Sequence, residues 1–153
     1  TDMLRRVEWQ KPLPFSPRAV MVVEALPTVV LFAASQIIAA LVLSLWLPEG
    51  GLFWLGSSLV AIAWATVLMM AMLAIALINP DPTDYTQRLL TGFLIVPMLL
   101  LTGAPGALLW LLGVGLQWHL GLTVGLGCLT NLFMALMLTA FNGTLYERFS
   151  PID

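Results

Sequence analysis

Apolar residues run along this chain in long continuous stretches, and charged residues fall only in the gaps between them. The stretches are Ala25 to Leu47, Leu52 to Ile78 and Leu89 to Tyr146. The last passes 58 residues without one Asp, Glu, Lys or Arg. A helix rises about 1.5 Å per residue and a bilayer core is about 30 Å thick, so about 20 residues make one crossing and this stretch must cross and return. Its natural hinge is Gln117-Trp118-His119. The short alternating strands of a membrane β-barrel do not match runs of this length. The pattern predicts an all-α, polytopic helical membrane protein of about four transmembrane helices, at about 25–47, 52–78, 89–116 and 120–141. Residues 25–146 would form one transmembrane domain, led by a cytoplasmic or interfacial segment 1–24 and followed by a cytoplasmic tail 147–153.

Polar residues and helix breakers refine that outline. Pro12, Pro14 and Pro17 keep residues 11–17 extended, and Ser16 before Pro17 is a helix start, an N-cap residue with Pro at the first helical position. "RAVMVVEALP" then reads either as a short interfacial helix or as the flank of the first span. Inside the spans, Gln36 and Asn131 are expensive to face toward lipid and are expected to point to protein. Trp46 and Trp54 sit where interfacial aromatics belong, around a "PEGG" turn at Pro48 to Gly51. Pro97 and "TGAPG" (Thr102 to Gly106) predict a kinked or broken third helix, a feature that recurs where substrates cross membranes. Gly121 and Gly125 have the spacing of a close helix contact, within the fold or between subunits. Asn142-Gly143 suits a helix end.

Composition agrees with the pattern. The chain is 60% hydrophobic and 9% charged, against about 45–50% and 25% for soluble domains, which argues against a water-soluble fold. No Lys/Arg cluster is large enough for nucleic acid. All six Lys and Arg residues (Arg5, Arg6, Lys11, Arg18, Arg88, Arg148) fall on segments that four spans bring to one side. The positive-inside rule therefore puts both termini and the 79–88 loop in the cytoplasm, as expected for a multi-pass protein of the cell (inner) membrane.

Chemistry-bearing motifs are sparse. The chain carries no GxxxxGK[ST] phosphate loop, HExxH or GxSxG, and its acidic residues lie outside the apolar stretches, so it is expected not to be an enzyme. Cys128 and His119, each the sole residue of its kind, form no ligand cluster, so no cofactor or metal is expected. Met69, Met70 and Met72 read as packing residues. Thr1 is not an initiator methionine, which raises the expectation of a piece of a longer chain.

The order "WQKPLPFSPRAVMVVEALP", a span, a second long span ending in "NPDPTDYTQRLLTGF", and two closing spans resembles the C-terminal half of the membrane subunit of bacterial ABC exporters. Members of that family have a "PLS"-like approach to one span and an "NP"-containing loop before the last two. The resemblance implies a transport permease, or a fragment of one, driven by a separate cytoplasmic ATPase subunit. It makes Asp81, Asp84, Tyr85 and Arg88 the docking residues for that subunit. Full permeases of this kind have six or more spans, so this chain would be part of one. The alternative is a non-catalytic accessory or scaffold subunit, with Gly121, Gly125, Gln36 and Asn131 packing against its own helices, further membrane helices or a second copy.

Overall fold

A computed structural model describes residues 16–78 and 85–148. They form four helices, α1 (Pro17–Trp46), α2 (Gly51–Ile78), α3 (Tyr85–Gly115) and α4 (Leu120–Arg148), with one turn of 3₁₀ helix at Pro48–Gly50. All four are long and apolar enough to cross a membrane, so the chain is an all-α, multi-pass membrane protein. The helices have 28 to 31 residues, or about 42–47 Å, and each overruns a 30 Å hydrocarbon core by about 12–17 Å.

Ser16 caps α1 as the Ser-Pro pair predicts. Its backbone is extended (φ −65°, ψ 143°), its Oγ accepts from the Ala19 N–H at 3.3 Å, and Pro17 occupies the first turn. The interfacial segment before the first span is not a separate helix, because α1 runs unbroken through Pro27. A proline removes one i to i−4 bond, and regular turns on both sides are enough to carry the helix past it. The same holds for α3, which is one continuous helix through Pro97 and Pro105 rather than a broken one.

Tertiary packing overrides the expected end of α4 at Asn142-Gly143. Asn142 is fully buried and its Nδ2 donates to the Met70 carbonyl of α2 at 2.7 Å. Gly143 lies against α1, where an added Cβ would come within 3.1 Å of Arg18 Cγ. Both residues serve a three-helix junction, and α4 continues to Arg148.

That junction is the densest part of the molecule. Val20, Met21 and Ala25 of α1, Met70, Leu73 and Leu77 of α2, and Tyr146 of α4 form one buried cluster. It fixes the start of α1 and the ends of α2 and α4 at one end of the bundle, here the termini end. The Pro48–Gly50 turn and the Gln117–His119 hinge lie at the other, the hairpin end. α2 is the central helix: it packs on α1, α3 and α4, and half of its most apolar stretch is buried. It does so with small side chains, among them Gly56, Ala63, Ala71 and Ala74, which let backbones approach closely where lipid offers no hydrophobic drive for association.

α3 is the loosely held element. Among the described residues none of the buried apolar side chains belongs to it. From Tyr85 to Leu101 no described side chain of α3 is buried, and its buried positions are Thr102, Gly106 and Gly113. Its attachment is concentrated toward the hairpin end, where Phe53 of α2 meets Trp110 of α3 with ring centroids 5.6 Å apart. There the chain reverses through Gln117, whose φ is +52°, with the Trp118 N–H donating to the Gly113 carbonyl at 2.9 Å. This is a Schellman ending with glutamine in the left-handed position that glycine usually takes.

Candidate functional site

The sequence-predicted packing residues separate on inspection of the structure. Asn131 faces protein as expected and has no exposed surface. Its Nδ2 donates to the Gly127 carbonyl of its own helix at 2.9 Å. Gln36 is half-buried on the α1–α2 seam, where its backbone carbonyl accepts from Ser58 Oγ at 3.4 Å. Gly121 and Gly125 do not make the helix contact expected of them within the fold: a Cβ on either would meet nothing within 4 Å. The close approaches of α4 are made at Gly127, packed on Val60, and at Thr123 and Val124, which meet Gly113 and Gly56. Helix rotation turns those two glycines outward and Gly127 inward.

Of the loop candidates, Asp81 and Asp84 lie outside the described residues. Tyr85 opens α3 and is exposed, and Arg88 follows one turn later on the same helix. His119 is exposed and acts through its backbone, its carbonyl accepting from the N–H groups of Leu122 and Thr123 at the start of α4. Cys128 is a free, half-buried thiol, and among the described residues no three His, Cys, Asp or Glu side chains come together.

What the fold does assemble is a groove of about 750 Å³ between α2, α3 and α4. Phe53, Val60 and Trp64 of α2 and Leu99, Ala107 and Trp110 of α3 supply apolar and aromatic walls, and Ser57 and Asn131 also line it. Its volume lies in the range of small-molecule sites, which run about 300–1,000 Å³. The groove exists because α3 meets its neighbours through glycine. A methyl group on Gly103 would lie 3.5 Å from Trp64 Nε1, and one on Gly106 would lie 3.2 Å from Asn131 Nδ2 and 3.4 Å from its Oδ1. Gly103 and Gly106 are three apart and share one face of α3, so the indole and the carboxamide lie beneath the same turn.

Three polar atoms in this groove are buried and have no hydrogen-bond partner: Ser57 Oγ, Trp64 Nε1 and Asn131 Oδ1. Asn131 is eleven residues into α4, about 17 Å along a helix of about 43 Å, and Trp64 is thirteen residues into α2, about 20 Å along it, so both lie near mid-span, while Ser57 lies two turns nearer the hairpin end. Each unpaired group there costs about 1–3 kcal/mol. No protein-family model, curated protein or solved structure matches this chain. Function therefore has to be argued from the groove itself.

Asn131 was visible in the sequence as a polar residue inside a span. Ser57 and Trp64 were missed. The usable signal was Trp64, thirteen residues into α2, away from both interfaces where membrane tryptophans normally anchor. A mid-span indole carries an N–H that lipid cannot satisfy.

The turn of α3 above Trp64 and Asn131 has a second peculiarity. Pro105 offers no N–H to the Leu101 carbonyl, and Pro97 offers none to that of Phe93. Between them, Thr102 is buried and its Oγ1 donates to the Met98 carbonyl at 2.8 Å. A helix with two absent rungs, glycine contacts and an unburied first half is well suited to changing its position against α2 and α4.

Proposed function

We propose that the chain is a transport permease of the cell membrane, or part of one, that takes an apolar or amphiphilic substrate into the α2–α3–α4 groove. A separate ATPase subunit of the ABC exporter kind drives it from the cytoplasmic face. The observation that carries this reading is the groove lined by three unpartnered polar atoms, two of them near mid-span. Buried polar groups are normally hydrogen-bonded, and although the termini-end junction also holds one orphan, Asn142 Oδ1, three gathered on the lining of one open cleft are what a binding site needs.

Two further features support the reading. α3, which forms one wall of the groove, is anchored mainly at the hairpin end and begins in the 79–88 loop, so a partner acting on that loop pulls directly on the wall. In the sequence the six Lys and Arg residues all fall in segments 1–24, 79–88 and 147–153, the charge asymmetry expected of a cytoplasmic face.

The test is purification of the chain from its native membranes in mild detergent, identification of a co-purifying subunit with a phosphate-binding loop, and assay of its ATPase activity with and without the chain. Stimulation is expected, and Asp81→Lys with Asp84→Lys should abolish it while membrane insertion stays intact. Unchanged stimulation in that variant removes the docking loop from the proposal, and absence of any such subunit removes the ATPase.

The outward Gly121–Gly125 face favours a second reading, an accessory subunit that receives a neighbouring membrane helix there. Gly121→Cys and Gly125→Cys would then form disulfide or bifunctional cross-links to that neighbour, and their failure to do so would leave this face to lipid.

A further inference from the structure

We propose that the groove is the substrate site of the transport reading, on which this assignment rests for its purpose, and that it takes an uncharged amphiphile whose polar end is a hydroxyl or a primary amide. The hydrogen-bonding capacity of the three orphan atoms restricts the head group. Trp64 Nε1 is a donor only and requires an acceptor. Asn131 Oδ1 is an acceptor only and requires a donor, its own Nδ2 being engaged by Gly127. Ser57 Oγ rotates to do either and does not discriminate.

A ligand head that meets both Trp64 and Asn131 must therefore accept and donate. Esters, ethers and ketones accept only and leave Asn131 Oδ1 unpaired. An ammonium donates only and leaves the indole unpaired. A carboxylate or phosphate fails on the donor side, and the groove lining contains no cationic side chain to offset its charge. Burying an ion of either sign at this depth is far more costly than burying a neutral group. Hydroxyls and primary amides remain.

The rest of the groove selects an apolar body. Its walls are aliphatic and aromatic, with Phe53 and Trp110 tilted at 55° to one another toward the hairpin end. A second helix seated in the groove would cover these walls, but it would need a Ser, Asn or Gln side chain placed beneath the Gly103–Gly106 turn. A flexible amphiphile reaches that recess with its own head group while its chain stays in the groove or the surrounding lipid.

The test is photo-labelling of the full chain in phospholipid nanodiscs with three probes that share one mid-chain diazirine: octadecanol, octadecane and octadecylamine. Sites of attachment are mapped by mass spectrometry. The expected result is saturable labelling of α2 and α3 residues around the groove by the alcohol, several-fold above the hydrocarbon and the amine, and competed by unlabelled octadecanol. Trp64→Phe deletes the donor while keeping an aromatic ring, and should weaken the alcohol's competition about tenfold, the loss of one buried hydrogen bond. Equal labelling by alcohol and hydrocarbon overturns the assignment, as does a monodisperse Trp64→Phe variant with unchanged competition. Competition on the unmutated chain needs no variant to fold. Head-selective labelling without energised movement of the alcohol in reconstituted vesicles would keep the ligand class and remove the permease. Energised movement of a substrate without head-selective labelling would do the reverse.

Discussion

Gly113→Ala tests how α3 is held. A Cβ at this position would lie 2.5 Å from both Thr123 Cγ2 and Thr123 Oγ1, and 3.1 Å from Thr123 Cβ. Ordinary contact between such atoms is about 3.5–4.0 Å, so roughly 1 Å has to be made up. Thr123 cannot yield it by rotation. It is buried and β-branched, both of its γ atoms already face Gly113, and its hydroxyl donates to the His119 carbonyl at 3.4 Å. The helices themselves must separate, at the one end where α3 is well attached. Overpacking costs about 1–3 kcal/mol; approaches as short as 2.5 Å put this case in the upper part, about 2–3 kcal/mol, and the better helix propensity of alanine returns about 1 kcal/mol, leaving a net loss of about 1–2 kcal/mol. Reversible unfolding in mixed micelles, followed by tryptophan fluorescence, would measure it. The decisive control is a double-mutant cycle with Thr123→Ala, which removes the obstructing atoms and should recover most of the loss. A Gly113→Ala protein as stable as the parent, or one that Thr123→Ala does not rescue, would refute this account of the α3–α4 contact.

The remaining predictions concern the other glycines, the hinge and the termini-end junction. Gly121→Ala with Gly125→Ala, on open helix surface, should leave stability within about 0.5 kcal/mol of the parent or raise it; a loss above 1 kcal/mol in the same unfolding assay would show that this face is packed. Gln117→Gly should stabilise by about 1 kcal/mol, because glycine adopts φ near +52° without the penalty a side chain carries, and a lower midpoint for the variant would contradict it. Asn142→Ala removes the α4–α2 hydrogen bond to the Met70 carbonyl and should cost about 1–2 kcal/mol, whereas Asn142→Asp, which buries a carboxyl in the same place, should cost more. Equal midpoints for the parent and Asn142→Asp would show that the junction is open to water.

How much was legible beforehand depends on whether a feature is set locally. Four spans follow from three uncharged stretches, each longer than a bilayer is thick and the last long enough to cross twice, and no neighbour is needed to establish that. The Ser16-Pro17 start is equally local, because an N-cap bonds to a backbone N–H three residues away. Asn131 facing protein follows from the cost of a carboxamide in lipid, wherever the partner helix lies. The break expected at Pro97 or Pro105 does not occur, because a missing N–H removes one rung, and whether a helix survives that loss depends on the rest of the bundle.

The groove could not be read in advance. These helices are apolar all round, so hydropathy carries no record of which face of α2 turns toward α3, which glycines of α4 turn outward, or that Trp64 and Asn131 meet beneath one turn of α3. In water an amphipathic stripe would have marked the inner face. In lipid both faces are greasy, and the choice between them is made by close packing of small residues across helices distant in sequence. Length and greasiness decided that the chain crosses a membrane; only the rotation and contact of its helices decided where it is able to hold something.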